Sequence, residues 1–220
     1  MFYPPENRLP FAAEIDELPC ADAIRQNPDQ LLRVALASTL AGGRRARLDC
    51  ALPAKGIRDG EIVVEDVVAR YRPPIFASHL DELVNEPVWG QESTDHRRLK
   101  LHARLLARAI DPASDLGPEA LLGPERSAKR VDLLAVSGAG ILTAFECGSV
   151  DGRKICRLFH DGVARIIVLP FAGLKDPLFM RGWCFSLAGT SPLPSLTPET
   201  LRSAWAHLLH ADNRPSSPDF

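Results

Sequence analysis

The sequence predicts an α/β protein in which helices flank a mixed central sheet. Three apolar runs, over 131–136, 141–147 and 165–169, have the length and composition of buried strands. A tight Gly-Ala-Gly turn separates the first two runs, which predicts an antiparallel hairpin. A helical pattern over 149–160 separates the last two, so we expect a crossover that makes these strands parallel.

Composition limits the classes of protein that remain. Of 220 residues, 45% are hydrophobic and 25% charged, which is typical of a globular chain rather than a disordered one. The net charge of −2 excludes a histone-like protein that binds by bulk charge. The five cysteines are scattered and never at CxxC spacing, so we expect free thiols and a cytoplasmic location. No apolar run is long enough to predict a membrane span.

The N-terminal third is predicted to hold one helix and a hairpin. A Pro-Asp start and a Gly-Gly stop predict a helix over 27–43. Alternation over 46–52 and β-branched residues over 61–68 predict two strands, which the turn signal at 59–60 would connect. A short helix is expected over 78–84.

The clearest helix is predicted over 94–110. Thr94 is the expected N-cap, Asp95 suits the positive end of the helix dipole, and Asp111-Pro112 ends the helix. An apolar stripe recurs at helical spacing: Leu99, Ala103, Leu106 and Ile110. Basic residues recur on the opposite side: Arg97, Lys100, Arg104 and Arg108. That side is either a phosphate-contacting surface or an ordinary solvated helix face. A further helix is expected from Thr197 to His210, after a linker over 191–198.

Two carboxylates interrupt the apolar strands. Asp132 begins one strand and Glu146 ends the next. If the loop is the three residues 138–140, position 137 pairs with 141 and Asp132 falls opposite Glu146. Facing carboxylates repel, and a divalent cation between them would remove the repulsion. The alternative is that each acid is solvated at its strand end or pairs with a nearby basic side chain: Arg130, Arg153 or Lys154.

This block resembles a known family. An acid at the start of one strand, an acid near the end of the next and a crossover helix form the outline of the PD-(D/E)XK nuclease superfamily. Within it, the block is most similar to the YaeQ-like proteins. The matching stretches are 92–95 running into 104–110, then 132–134, 146–155 and 164–168. The similarity covers roughly 45 to 171, and its most distinctive part is a glycine after the second acid followed by a basic pair.

The resemblance implies a fold and a division of the chain. It implies a restriction-endonuclease-like αβββαβ core over 44–172, with a mixed central sheet flanked by helices. Residues 1–43 would be an N-terminal helical extension. Residues 173–220 would be a C-terminal extension with a linker and a helix.

The resemblance also implies site residues. Asp132 and Glu146 would hold Mg²⁺ (or Mn²⁺), with the backbone carbonyl of Cys147 as a further ligand and the ion activating water. An acid on the preceding helix, Asp95 or Glu92, would complete the site. Nucleic-acid phosphates would be contacted by basic residues around the acids: Arg97, Lys100, Arg104, Arg108, Arg130 and Arg157.

The lysine of the superfamily is absent from its usual place. It normally follows the second acid by two residues, where this chain has Gly148. Lys154 or Arg153, on the following helix, would have to reach back and take its role.

The leading hypothesis is therefore a Mg²⁺-dependent protein that hydrolyses phosphodiester bonds in DNA or RNA. A second hypothesis is a catalytically weak or inactive subunit that binds nucleic acid or serves as a scaffold, with a protein partner on its terminal helices. A third is an α/β enzyme acting on a small phosphorylated substrate. Walker, GxGxxG, GxSxG and HExxH motifs do not occur in the sequence, so those enzyme classes lack support.

Overall fold

The computed structural model describes residues 18–36, 49–70, 93–124, 128–174 and 179–212. Four predictions fall wholly or partly outside the described residues. They are the short helix over 78–84, the candidate acid Glu92, the first part of the strand predicted over 46–52, and the end of the helix predicted over 27–43.

The described strands are β1 (Ile62–Arg70), β2 (Asp115–Pro118), β3 (Leu121–Leu122), β4 (Lys129–Arg130), β5 (Leu133–Val136), β6 (Leu142–Cys147), β7 (Arg165–Leu169) and β8 (Phe179–Leu187). Within the described part of the chain, six of them form one sheet in the order β1-β8-β7-β6-β5-β2. β6 and β7 are parallel, and the other neighbours are antiparallel. β3 and β4 form a separate two-stranded ribbon.

The described helices are α1 (Ala21–Gln26), α2 (Pro28–Leu36), α3 (Ala51–Arg58), α4 (Thr94–Ile110), α5 (Gly152–His160) and α6 (Pro198–Asp212), with a 3-10 turn over Phe171–Leu174. Apolar residues of α4 and α6 pack on one face of the sheet. Those of α1, α2, α3 and α5 pack on the other. Successive strand residues alternate between the faces, as Phe145 and Ala144 do. The predicted α/β class, with a mixed central sheet between helices, is confirmed.

The central hairpin and crossover have the predicted form. Ser137 N donates to Ile141 O at 3.0 Å, and Gly140 N donates to Ser137 O at 2.8 Å, which closes the three-residue turn. Leu133 pairs with Phe145 in the resulting register. α4 has the predicted bounds, although its N-cap is Ser93, whose Oγ accepts from His96 N at 3.2 Å, and not Thr94.

The predicted N-terminal hairpin is wrong. Residues 51–58 form α3, so the chain enters β1 from a helix and not from a strand over 46–52. The Asp49 carboxylate accepts a hydrogen bond from Ala51 N at 3.2 Å at the start of this helix, and Pro53 lies in its first turn, where a missing N–H costs nothing. Gly56 lets the helix pack against Ile62, since a Cβ would lie 2.7 Å from Cδ1 of Ile62.

Besides α3, the 3-10 turn and the β3–β4 ribbon, three elements of the main fold were not predicted. α1 lies before the predicted helix, whose predicted start coincides with the start of α2. β2 lies inside a loop rich in proline and glycine, where it pairs with β5 at the end of the sheet. β8 lies in the part assigned to a C-terminal extension, yet it pairs with both β7 and β1. Its Gly182 is required by close packing, because a Cβ would lie 2.3 Å from the carbonyl oxygen of Val168. The domain boundaries themselves remain a prediction.

None of the helices in the described ranges has both the length and the apolar composition needed to cross a membrane.

His102 gives the fold a pH dependence. It lies on α4 with 2% of its surface exposed, and burial lowers its pKa from 6.5 to about 4, helped by the charge of Arg98. The unfolded chain therefore binds more protons than the folded protein between those values. The free energy of unfolding therefore keeps the full contribution of the neutral, buried His102 ring above pH 6.5. It loses that contribution as the pH falls to about 4.

We expect His102→Gln to remove the contribution of His102 to the pH dependence of the unfolding free energy, about 3 kcal/mol across this window, and so to change the wild-type slope. The raised pKa of Glu146 acts in the opposite direction and is kept in the variant. Urea titrations at several pH values measure it. His207→Gln, an exposed position on α6, is the control and should keep the wild-type slope. A wild-type slope in His102→Gln would contradict burial of a neutral ring.

Candidate functional site

Asp132 lies where the β5–β6 ladder ends. It sits in a bend one residue before β5, and Glu146 is the fifth residue of β6. In the regular ladder, Cys147 N–H would point at the backbone of residue 131. Instead it donates to Asp132 Oδ2 at 2.7 Å. The Asp132 carboxylate thus takes the place of a strand acceptor and is held beside the residue that follows Glu146.

Asp132 is an ionised acid in a partly buried position. Its Oδ1 lies 3.3 Å from His96 Nε2, on the first turn of α4. Burial by itself raises the pKa of Asp132. The hydrogen bonds with His96 and Cys147 N, together with the charges of His96 and Lys100, outweigh burial and leave the pKa below its usual value. Asp132 therefore carries a negative charge at neutral pH.

The pKa of Glu146 is shifted in the opposite direction, upwards. Only 4% of the residue is exposed, and burial raises its pKa to about 7, although the charge and hydrogen bond of Lys154 lower it. The negative charge of Asp132 also raises this pKa, so the two carboxylates interact electrostatically. Glu146 Oε1 is buried and has no hydrogen-bond partner among the described residues. An acceptor in this state favours either a proton or a cation.

Lys154, and not Arg153, reaches the acid pair. Lys154 Nζ lies 2.6 Å from Glu146 Oε2, and the lysine side chain is 23% exposed. Arg153 points elsewhere, where its Nε and Nη2 lie 2.8 and 2.7 Å from Asp49 Oδ2 at an exposed ion pair. The sequence left both residues as candidates, and consecutive residues of a helix point in different directions.

The backbone at Gly148 excludes a lysine. Its φ is +92°, and a Cβ there would lie 2.6 Å from Cε2 of Phe171. The Phe171 ring also meets the His96 ring edge to face, with centroids 6.2 Å apart. The space in which a side chain at 148 would begin is thus occupied by an aromatic ring that also supports His96.

Glu119 is a third acid near the pair, and sequence reasoning missed it. Its backbone N–H donates to Asp132 O at 3.2 Å, and its φ is 52°, unusual for a residue other than glycine. Its carboxylate pairs with Lys100 and with Arg130, the latter at 2.8 Å. Its charge contributes to raising the pKa of Glu146. Glu119 lies in a loop with no periodic pattern, so only the folded backbone reveals its position.

His96 was also missed as a site residue. In the sequence it lies two residues after Thr94, in the first turn of a predicted helix, where a polar residue needs no functional explanation. Only the approach of α4 to the end of β5 brings it to Asp132.

The basic residues of α4 do not form one uniform surface. Lys100 is bound to Glu119, and Arg108 donates to two carbonyls of the following loop, at 2.9 and 2.6 Å. Arg104 is exposed, and Arg97 is partly buried. Arg104 is therefore the most accessible of the four. Phosphate contact by this set remains a prediction.

The remaining predicted residues lie at the periphery. Asp95 is 63% exposed and lies 3.7 Å from Arg98, one turn along α4. Arg130 is 68% exposed beside Glu119, and Arg157 is partly buried on the last turn of α5. In the described ranges, no group of three His, Cys, Asp or Glu side chains is arranged to hold a metal ion. For a metal ion at the acid pair, the described residues would therefore supply two carboxylates and backbone oxygens as ligands.

Comparisons with known proteins identify no family. No protein-family model matches the chain, and neither the curated proteins nor the solved structures include a significant match.

The Glu146 titration can be measured directly. In the metal-free protein, carbon-13 NMR of the Glu146 carboxyl should give a midpoint near pH 7. Lys154→Met should move the midpoint higher, because the ammonium charge that favours the carboxylate is removed. Arg153→Met is the matched control on the same helix and should leave the midpoint in place. A wild-type midpoint near the ordinary value of 4.5 would contradict the burial of Glu146.

Gly148→Ala tests whether Phe171 excludes a side chain at this position. Gly162 is the matched control, since its φ is +91° but nothing lies within 4 Å of its Cβ position. Both substitutions strain the backbone alike, so the additional loss at Gly148 reports the clash, which we expect to cost about 1–3 kcal/mol in chemical denaturation. Equal losses at the two positions would show that Phe171 moves away freely.

Proposed function

We propose that the protein is a Mg²⁺-dependent (or Mn²⁺-dependent) nuclease-fold protein that hydrolyses phosphodiester bonds in nucleic acid. One observation carries the proposal. Asp132 and Glu146 interact across the end of a hairpin, and Lys154 from the crossover helix lies 2.6 Å from Glu146. Two acids with a lysine beside them are the chemical groups that the resemblance to the PD-(D/E)XK superfamily implies.

The order of the elements supports the proposal. Between residues 94 and 169 the principal elements follow as α4, β2, β5, β6, α5 and β7. This is the αβββαβ order that the resemblance implies, with the small β3–β4 ribbon inserted before β5. β2, one of the strands that the sequence did not predict, supplies the first strand of that order.

The donor set fits a hard divalent cation. Asp132 and Glu146 would hold it, with the backbone carbonyl of Cys147 as a further oxygen, and Glu146 Oε1 is already a buried acceptor without a partner among the described residues. Mg²⁺ commonly takes only one or two carboxylates and completes its shell with water and substrate phosphates. When bound, the ion would supply a lowered pKa for water and charge stabilisation at phosphate.

The chain's own residues prepare this arrangement. His96 and Cys147 N keep Asp132 ionised and hold its orientation. Lys154 favours the ionised form of Glu146 against the cost of burial. The lysine ammonium is also a donor for a phosphate oxygen, the role that a lysine at position 148 would otherwise take. Arg104 and Arg130, both exposed, would contact the nucleic-acid backbone.

A second function is favoured by a different observation. Gly148 and Phe171 close the usual lysine position, and Lys154 is bound to the acid that would have to accept a cation. A protein of this kind would be a weak or inactive nuclease-fold subunit that binds nucleic acid or serves as a scaffold. Its partner would dock on terminal elements such as α1, α2 or α6.

Cleavage and metal binding, assayed together, test the proposal. Wild type, Asp132→Asn, Lys154→Met and Arg153→Met are incubated with single- and double-stranded DNA and RNA in Mg²⁺ or Mn²⁺. We expect Lys154→Met to lower the cleavage rate by about 10²–10³-fold, as loss of a transition-state donor does. Asp132→Asn should abolish cleavage and weaken Mn²⁺ binding in calorimetry. Arg153→Met should match the wild type.

The outcomes separate the two functions. Cleavage that is equal in wild type and Asp132→Asn, or Mn²⁺ binding that Asp132→Asn leaves unchanged, would contradict the nuclease proposal. Salt-dependent nucleic-acid binding without cleavage by the wild type would support the non-catalytic subunit instead.

A further inference from the structure

A cavity lies at the opposite end of β6 from the acid pair. Its volume is about 270 Å³, and it opens beside the C-terminal end of α4, the β5–β6 turn and the first residue of β7. Asp132 and Glu146 are at the start of β5 and the end of β6, whereas this cavity meets the end of β5 and the start of β6. It is therefore separate from the site described above.

Arg165 is the charged group of this cavity, and it is 7% exposed. Its Nη2 donates to Ser191 O at 2.6 Å and to Ser191 Oγ at 2.9 Å. Its Nε–H is buried and has no hydrogen-bond partner, and across the described ranges no carboxylate lies within ion-pair distance of Arg165. A guanidinium has five N–H donors, so most of its capacity is unused.

Such a charge is costly unless an anion accompanies it. A buried ion without a partner loses its hydration and gains nothing in return. A planar carboxylate matches the guanidinium fork and takes two of its donors. The hydroxyls of Ser137 and Thr143 also line the cavity and can donate to the same group.

The rest of the lining defines the body of the ligand. Carbon surface comes from α4, β6 and the linker before α6, namely from Ala107, Ile110, Phe145, Pro192 and Pro194. Asp111 also lines the cavity, with Oδ1 accepting from Ala113 N at 3.0 Å. Its negative charge disfavours anions in general, and a multiply charged one such as phosphate more than a monocarboxylate. We propose that this cavity binds a small organic monocarboxylate, with the carboxylate at Arg165 and an apolar body against Phe145 and the prolines.

The test uses the full chain and benzoate as the probe. In nitrogen-15 NMR, titration with benzoate should shift the Arg165 Nε–Hε resonance and the Thr143 and Ser191 amides along one saturable curve. Benzamide has the same shape without the charge and should bind at least about tenfold more weakly. Inorganic phosphate should also bind more weakly than benzoate. Asp132→Asn should leave benzoate binding unchanged, which separates this site from the proposed nuclease site.

Variants locate the binding. Arg165→Gln should weaken benzoate binding by about tenfold or more, since the charge-assisted hydrogen bonds are lost. Thr143→Val, which keeps the side-chain volume, should weaken it less and supplies the comparison if Arg165→Gln does not fold. Arg181→Gln, whose arginine pairs with Asp66 on β1, is the control and should bind as the wild type does. Benzamide or phosphate binding as tightly as benzoate, or unchanged affinity in Thr143→Val and Arg165→Gln, would overturn the proposal.

Discussion

The register of the β5–β6 hairpin is the constraint on which the rest of the site depends. A three-residue turn pairs 137 with 141, and every later pair follows from it because strand residues advance in equal steps. A slip of one residue would move Glu146 away from Lys154 and turn Phe145 from the face covered by α4 and α6 to the opposite face. The register also brings the bend at Asp132 level with the end of β6. There the Asp132 carboxylate replaces a backbone acceptor of the ladder.

Electrostatic asymmetry follows from that geometry. Asp132 accepts two hydrogen bonds and lies near positive charge, so it stays ionised. Glu146 is buried, and only Lys154 lowers its pKa. Neighbouring carboxylates whose pKa values are moved in opposite directions are typical of sites that handle protons or cations.

Packing explains why no lysine occupies position 148. The left-handed backbone at Gly148 and the ring of Phe171 leave no volume for a side chain at that position. The same ring supports His96, which orients Asp132. A lysine on α5 is compatible with this packing because the helix runs past the end of β6 and a long side chain can reach Glu146. Under the proposed function, Lys154 would take the role of the lysine that the superfamily pattern has at position 148.

Local patterns in the sequence determined much of the fold. Apolar periodicity and turn residues predicted α4, the β5–β6 hairpin, α5 and β7, because these elements are specified by neighbours along the chain. The hairpin arithmetic also predicted that the two acids lie opposite each other, and the charge of Asp132 raises the pKa of Glu146. The helix at 51–58, strands β2 and β8, and the positions of His96 and Glu119 were decided by tertiary structure. Each depends on partners distant in sequence: Gly56 on Ile62, β8 on β1 and β7, and His96 and Glu119 on the bend at Asp132. Only the packed fold brings these partners together.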